Sequence, residues 1–133
     1  MANQALIREL DYLESRDIEV VLGEWETPGR FGGEFEGITV DDPRWASIIG
    51  GFLDYLINQK VIHVLNILTN VNEANSDWSY CGDFDKWQTG INYLHTELDK
   101  YGLNEKIKIT GPDTVWDSDN TWLKEINSIK IRC

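Results

Sequence analysis

Asn72 and Glu73 stand at the end of an apolar stretch that brings Ile67, Leu68 and Val71 close together, and Asn75, Asp77 and Trp78 follow soon after. An acidic side chain directly after a buried strand is a poor choice for packing, because carboxylates are almost never fully buried without a partner. The pattern recurs twice. Glu24, Trp25 and Glu26 follow the β-branched run that ends at Leu22, and Asp113 and Trp116 follow the segment IKIT at 107–110. Carboxylates beside indole rings suit glycoside chemistry. One carboxyl must protonate the leaving oxygen and a second must act as nucleophile or base, about 5–5.5 Å away for retention or about 6.5–9.5 Å for inversion. A neighbouring Trp excludes water, penalises the charged carboxylate and favours the protonated state that a general acid needs. Its face is also an apolar platform for a sugar ring. Loop carboxylates have plainer uses, as helix caps or acceptors for nearby N–H groups. Asp42 and Asp83 read as caps, Asp77 and Asp113 are evenly balanced between the two roles, and Glu73 is the strongest candidate for chemistry.

These groups need a scaffold that gathers them. Residues 3–15 place Leu6, Ile7, Leu10 and Leu13 on one helical face, and the run Ile18, Val20, Val21, Leu22 reads as a short buried parallel strand. A Gly-rich loop spans 26–42, a length that favours a functional segment. A helix then starts at Asp42-Pro43 and runs to about residue 60, with Trp45, Ile48, Ile49, Phe52, Leu53 and Leu56 on its apolar face. The second half of 61–71 reads as a strand. The stretch DFDKWQTGINYLHTELDKYGL gives a helix with Leu94 and Leu98 in its apolar stripe and Gly102 as its stop. IKIT is a third strand, TWLKEIN a short helix and IKIRC the start of a fourth strand. Alternation of this kind predicts an α/β fold of three to four parallel strands joined by right-handed helical crossovers, as a single unit over 1–133. In such folds ligands sit outside the carboxyl ends of the strands, where neighbours are only about 4.8 Å apart. The three acidic, Trp-bearing tips should therefore converge.

The segments VLGEWETPGRFGG, DDPRWASII, VNEANSDW, GDFDKWQTGINYLHTEL and KITGPDTVW together resemble the middle of a clan A glycoside hydrolase, a (β/α)8 barrel related to cellulases and mannanases. The resemblance runs from about Leu6 to Trp116 and implies a partial TIM barrel that supplies strands three to five and the start of six. It places the clan's Asn-Glu pair, at the end of the fourth barrel strand, on Asn72 and Glu73. By that resemblance Glu73 is the acid/base catalyst and Asn72 holds the sugar's 2-hydroxyl, with Glu24, Trp25, Trp78, Asp113 and Trp116 as substrate-binding candidates. Position 74 is Ala where the family usually has Pro. The clan's nucleophile lies on a seventh strand, and a full barrel needs roughly 250 residues. The expected activity is therefore that of a fragment of a retaining β-glycoside hydrolase, inactive alone. The alternative is a non-catalytic carbohydrate-binding module. A Glu24–Glu73 pair supporting weak inverting hydrolysis is a third reading. An open partial barrel would expose its inner strand face and its sheet edges, which predicts self-association.

The totals narrow the field. A formal net charge of −11 over 133 residues, with no basic patch, disfavours nucleic acid and anionic membrane surfaces and leaves neutral ligands such as sugars unaffected. Six Trp is a high count for this length, and several lie in polar segments. Met1 precedes a polar helix with no apolar signal region, no apolar run reaches membrane-spanning length, and the compartment stays undetermined. No metal-ligand spacing or phosphate loop is present, so no cofactor is expected. His63 falls near a strand start, at the wrong end for this site, and His95 in a helix. Cys81 lacks a nearby base, and its pairing with Cys133 is left open.

Overall fold

The protein is seen in a computed structural model, which describes residues 2–23, 33–79, 81–116 and 121–128. Helix α1 (Ala2–Glu14) buries Leu10 fully and Leu6, Ile7 and Leu13 in part. It leads into strand β1 (Val20–Gly23). Helix α2 (Pro43–Asp54) begins as its sequence demands: the Asp42 carboxylate accepts from Arg44 N at 2.9 Å, and Pro43 takes the first position, where a missing N–H costs nothing. It runs on into a π turn over Tyr55–Gln59. Strand β2 (Leu65–Thr69) is followed by helix α3 (Phe84–Lys100), which Asp83 caps by accepting from Lys86 N at 3.0 Å. Gly102, at φ 65°, stops the helix in the left-handed conformation that glycine tolerates. Strand β3 (Lys108–Thr110) and helix α4 (Thr121–Ser128) complete the described chain.

The three strands form one parallel sheet in the order β1-β2-β3. Spatial order thus follows chain order, and both crossovers advance in the same direction. Right-handed crossovers of that kind put their helices on the same face, and α2 and α3 do pack on each other. Leu22, Leu68 and Ile109 lie side by side across the sheet and point into that helical layer. Val21, Ile67 and Lys108 are aligned on the opposite face.

The core fills the space between helices and sheet. Trp45, Leu53, Leu56, Leu94, Leu98 and Leu103 are fully buried. Phe84, Trp87 and Trp122 form an aromatic cluster that ties α4 to α3, with Phe84 and Trp122 edge to face at a centroid distance of 5.2 Å. The helical layer is tight where α3 passes the start of α2. A methyl group on Gly90 would come within 2.5 Å of the Val40 carbonyl oxygen.

The α/β class, the alternation and the caps match the sequence reading. Some expectations do not. β1 is an edge strand rather than a buried one: Val21 is 57% exposed, because nothing among the described residues covers the face it shares with Ile67 and Lys108. Ile48 is 39% exposed although it falls on the apolar helical stripe. Ile38 and Val40, inside the stretch read as an open Gly-rich loop, are buried in the core. Three strands lie among the described residues, and the fourth, expected over IKIRC, lies outside them.

Candidate functional site

The chain leaves β2 through two residues of opposite character. Asn70 is fully buried. Its main-chain carbonyl accepts from the Trp87 indole at 3.3 Å, and its carboxamide has no partner among the described residues. An unpaired buried amide costs on the order of 1–3 kcal/mol. Val71 packs into the core at φ 64°, a conformation that a β-branched residue rarely adopts. Glu73 follows at φ 50° and closes a tight turn, its carbonyl accepting from Ser76 N at 2.8 Å. These two left-handed residues turn the chain sharply over the carboxyl end of the sheet and leave the Glu73 side chain half-buried there.

The Glu73 carboxylate is held by its own loop, with Trp78 Nε1 donating to Oε2 at 2.9 Å. The indole thus meets the carboxyl through its polar edge, whereas the sequence reading expected an apolar neighbour that excludes water. Trp78 itself is 37% exposed.

The loops after β2 and β3 are fastened to each other. Asn75 Nδ2 donates to Val115 O at 2.6 Å, and Val115 N donates to Asn75 Oδ1 at 2.8 Å. Beside this pair, Ala74 N donates to Asp113 O at 2.9 Å, and Gly82 N donates to Ala74 O at 2.9 Å. Asp113 sits half-buried behind a cis Gly111-Pro112 bond. Trp116, next to the stapled Val115, is 93% exposed at φ 52°. Asn72, half-buried, directly precedes Glu73.

Five of the seven residues singled out in the sequence are therefore on one rim: Asn72, Glu73, Trp78, Asp113 and Trp116. Glu73 and Trp78 are in direct contact, and Asp113 is joined to them through the backbone of Ala74. Glu24 and Trp25 lie outside the described residues. Sequence reasoning placed Asn75 near the site but gave it no role, since its partner lies forty residues further on. Asn70 it missed altogether, because nothing in an apolar run marks an Asn as buried.

The other candidates sit elsewhere. His63 is at the amino-terminal end of the sheet, with its Nδ1 2.9 Å from Glu14 Oε1. His95 lies on the exposed side of α3, within 3.3 Å of Asn104. Cys81 is buried, and burial pushes its thiol up to about 11. Among the described residues no group of His, Cys, Asp and Glu is placed to hold a metal ion, and no helix is long and apolar enough to cross a membrane. Comparison with protein-family models, with curated proteins and with solved structures finds no match to this chain.

Proposed function

We propose that this chain carries the acid/base half of a retaining β-glycoside hydrolase site, built on part of a (β/α)8 barrel of the clan A type. The carrying observation is the Glu73 carboxylate at the carboxyl rim of the sheet, oriented by the Trp78 indole at 2.9 Å and sharing that rim with Asp113 and the exposed Trp116. Sequential strand order with α2 and α3 on one face supports the partial-barrel reading. In this scheme Glu73 gives its proton to the leaving oxygen as the bond to the anomeric carbon breaks, and Asn72 holds the 2-hydroxyl. The nucleophile comes from a carboxylate outside residues 1–133. Trp78 and Trp116, with Glu24, Trp25 and Asp113, bind the sugar.

A carbohydrate-binding module without hydrolysis is the second reading, and the 93% exposure of Trp116 favours it. Both readings require sugar binding, so Trp fluorescence is titrated first with cello- and manno-oligosaccharides. A saturable change is expected; its absence with both series would end both readings. Hydrolysis of an aryl β-glycoside is then measured in wild type and Glu73→Gln. Any turnover should vanish in the variant, and turnover that survives unchanged removes Glu73 from the catalytic role. Binding without turnover in the isolated chain leaves the fragment and module readings to be separated by supplying the complementary barrel strands. The open sheet face around Val21, and the edges at β1 and β3, are where we expect self-association in the isolated chain.

A further inference from the structure

We propose that Asn75 is a positioning residue for the sugar site: by fixing Val115 it holds the Trp116 indole where a sugar ring meets it. The inference rests on the sugar-binding reading above and gives a role to a side chain that reading leaves out.

The loop after β2 is braced within itself. Ser76 N donates to Glu73 O at 2.8 Å, Ser79 N and Oγ reach Ser76 O at 3.2 and 2.7 Å, and Gly82 N donates to Ala74 O at 2.9 Å. Ala74 and Ser79 are fully buried, so the short segment that carries Asn75 is anchored on both sides. The loop after β3 leans on this post through three hydrogen bonds. One is main chain to main chain, from Ala74 N to Asp113 O at 2.9 Å. The other two join the Asn75 carboxamide to Val115 N and O. Asn suits the task because its side chain carries a donor and an acceptor side by side, as a peptide group does.

Both main-chain polar groups of Val115 are therefore engaged by Asn75, and Trp116 is the next residue. Trp116 sits at φ 52°, in the left-handed region. A bulky residue keeps such a conformation only where its surroundings enforce it, and residues of this kind collect at ligand clamps. The indole is 93% exposed, so it adds little packing to the fold. The stem of this side chain is fixed while its rings stay open to a ligand. A platform ordered in advance binds more tightly than one that must be ordered on contact. Freeing the backbone of one such residue corresponds to a loss of about tenfold in affinity.

The test is calorimetric titration with cellohexaose and mannohexaose. It compares wild type, Asn75→Ala, Trp116→Ala, their double variant and a chain with one glycine inserted between Val115 and Trp116. Asn75→Ala should weaken binding by about tenfold. The insertion keeps both bonds to Val115 and the indole but frees the stem, so it should weaken binding by a similar factor. A role in stability alone would leave the insertion without effect. In the Trp116→Ala background, Asn75→Ala should cost no more than about twofold further, because its effect runs through the indole. No binding by wild type would end the sugar reading and this inference with it. Wild-type binding that the insertion leaves undiminished, or an equal loss from Asn75→Ala with and without Trp116, would overturn this inference and leave the sugar reading standing. If Asn75→Ala fails to fold, the insertion against wild type decides.

Discussion

The Asn75 carboxamide pairs with the main chain of Val115 at both ends, Nδ2 to O at 2.6 Å and Oδ1 from N at 2.8 Å, as a neighbouring strand would. One side chain thereby replaces a strand pairing that the loops cannot make, and it fixes where Trp116 leaves the body of the protein. Asn75→Ala leaves a half-buried N–H and C=O unpaired, so a loss of about 1–3 kcal/mol is expected in urea unfolding. Asn75→Asp, which sets a carboxylate oxygen against the Val115 carbonyl oxygen in place of the donating Nδ2, should lose at least as much. A variant as stable as wild type would mean that the loops are held by other contacts.

Gly90→Ala is expected to be among the most damaging single-methyl changes in the fold. The new carbon would meet the Val40 carbonyl oxygen at 2.5 Å and the Val40 Cγ2 at 2.7 Å, and main chain cannot swing aside as a side-chain tip can. Overpacking of this kind costs about 1–3 kcal/mol, against a gain in helix propensity of up to about 1 kcal/mol. Thermal denaturation should show a net fall in Tm. Gly102→Ala tests conformation instead of space, because its site is open but its φ is 65°.

The Glu14 carboxyl is held below its ordinary value of 4.5, chiefly by the Val64 N–H that it accepts and then by His63. A depressed carboxylate stabilises the native state above its unfolded pKa and loses that contribution as pH falls through the native one. Urea midpoints for wild type should therefore decline below about pH 4.5 more steeply than those for Glu14→Gln. The two curves should run closer to parallel above about pH 6, with the variant lower. The Glu14 side chain is still 31% exposed and its partner His63 is 71% exposed, so solvent screening will keep the difference modest. Identical acid limbs would remove Glu14 from the list of groups that tie α1 to the start of β2.

Cys81 should be chemically silent in the native protein. Burial pushes its thiol up to about 11, which leaves on the order of one thiolate in a thousand near pH 8. In a Cys133→Ser background, Ellman's reagent should label it only after unfolding. Rapid stoichiometric labelling of the folded chain would contradict the buried placement beside Asp83 O at 3.5 Å.

Local signals were legible in the sequence wherever a residue acts within its own turn. Asp42-Pro43, Asp83 and Gly102 mark their helix ends as read, and Leu94 and Leu98 carry the α3 packing. The sequence also put Glu73 and Asp113 on a common rim, since strand alternation alone dictates which ends coincide. What it could not carry was anything set by distant partners. Val21 has the same β-branched character whether or not a layer covers it, so its exposure was hidden. The pairing of Asn75 with Val115 spans forty residues and leaves no periodic trace. Trp78 was visible near Glu73, but whether face or edge meets the carboxylate depends on a turn built from left-handed Val71 and Glu73, which no propensity favours. Ile38 and Val40 were lost among glycines for a related reason: both are buried by the folded core, Val40 where α3 passes it at Gly90.

The agreement between spatial and chain order in the sheet reaches beyond this chain. A ribbon that advances by the same step each time can be lengthened at β1 or at β3 by grafting on one more strand-and-helix module, with no existing crossover re-threaded. Duplication, fusion and recombination can all act on such an architecture piece by piece, and a designer can use the same freedom to widen the sheet beside Glu73.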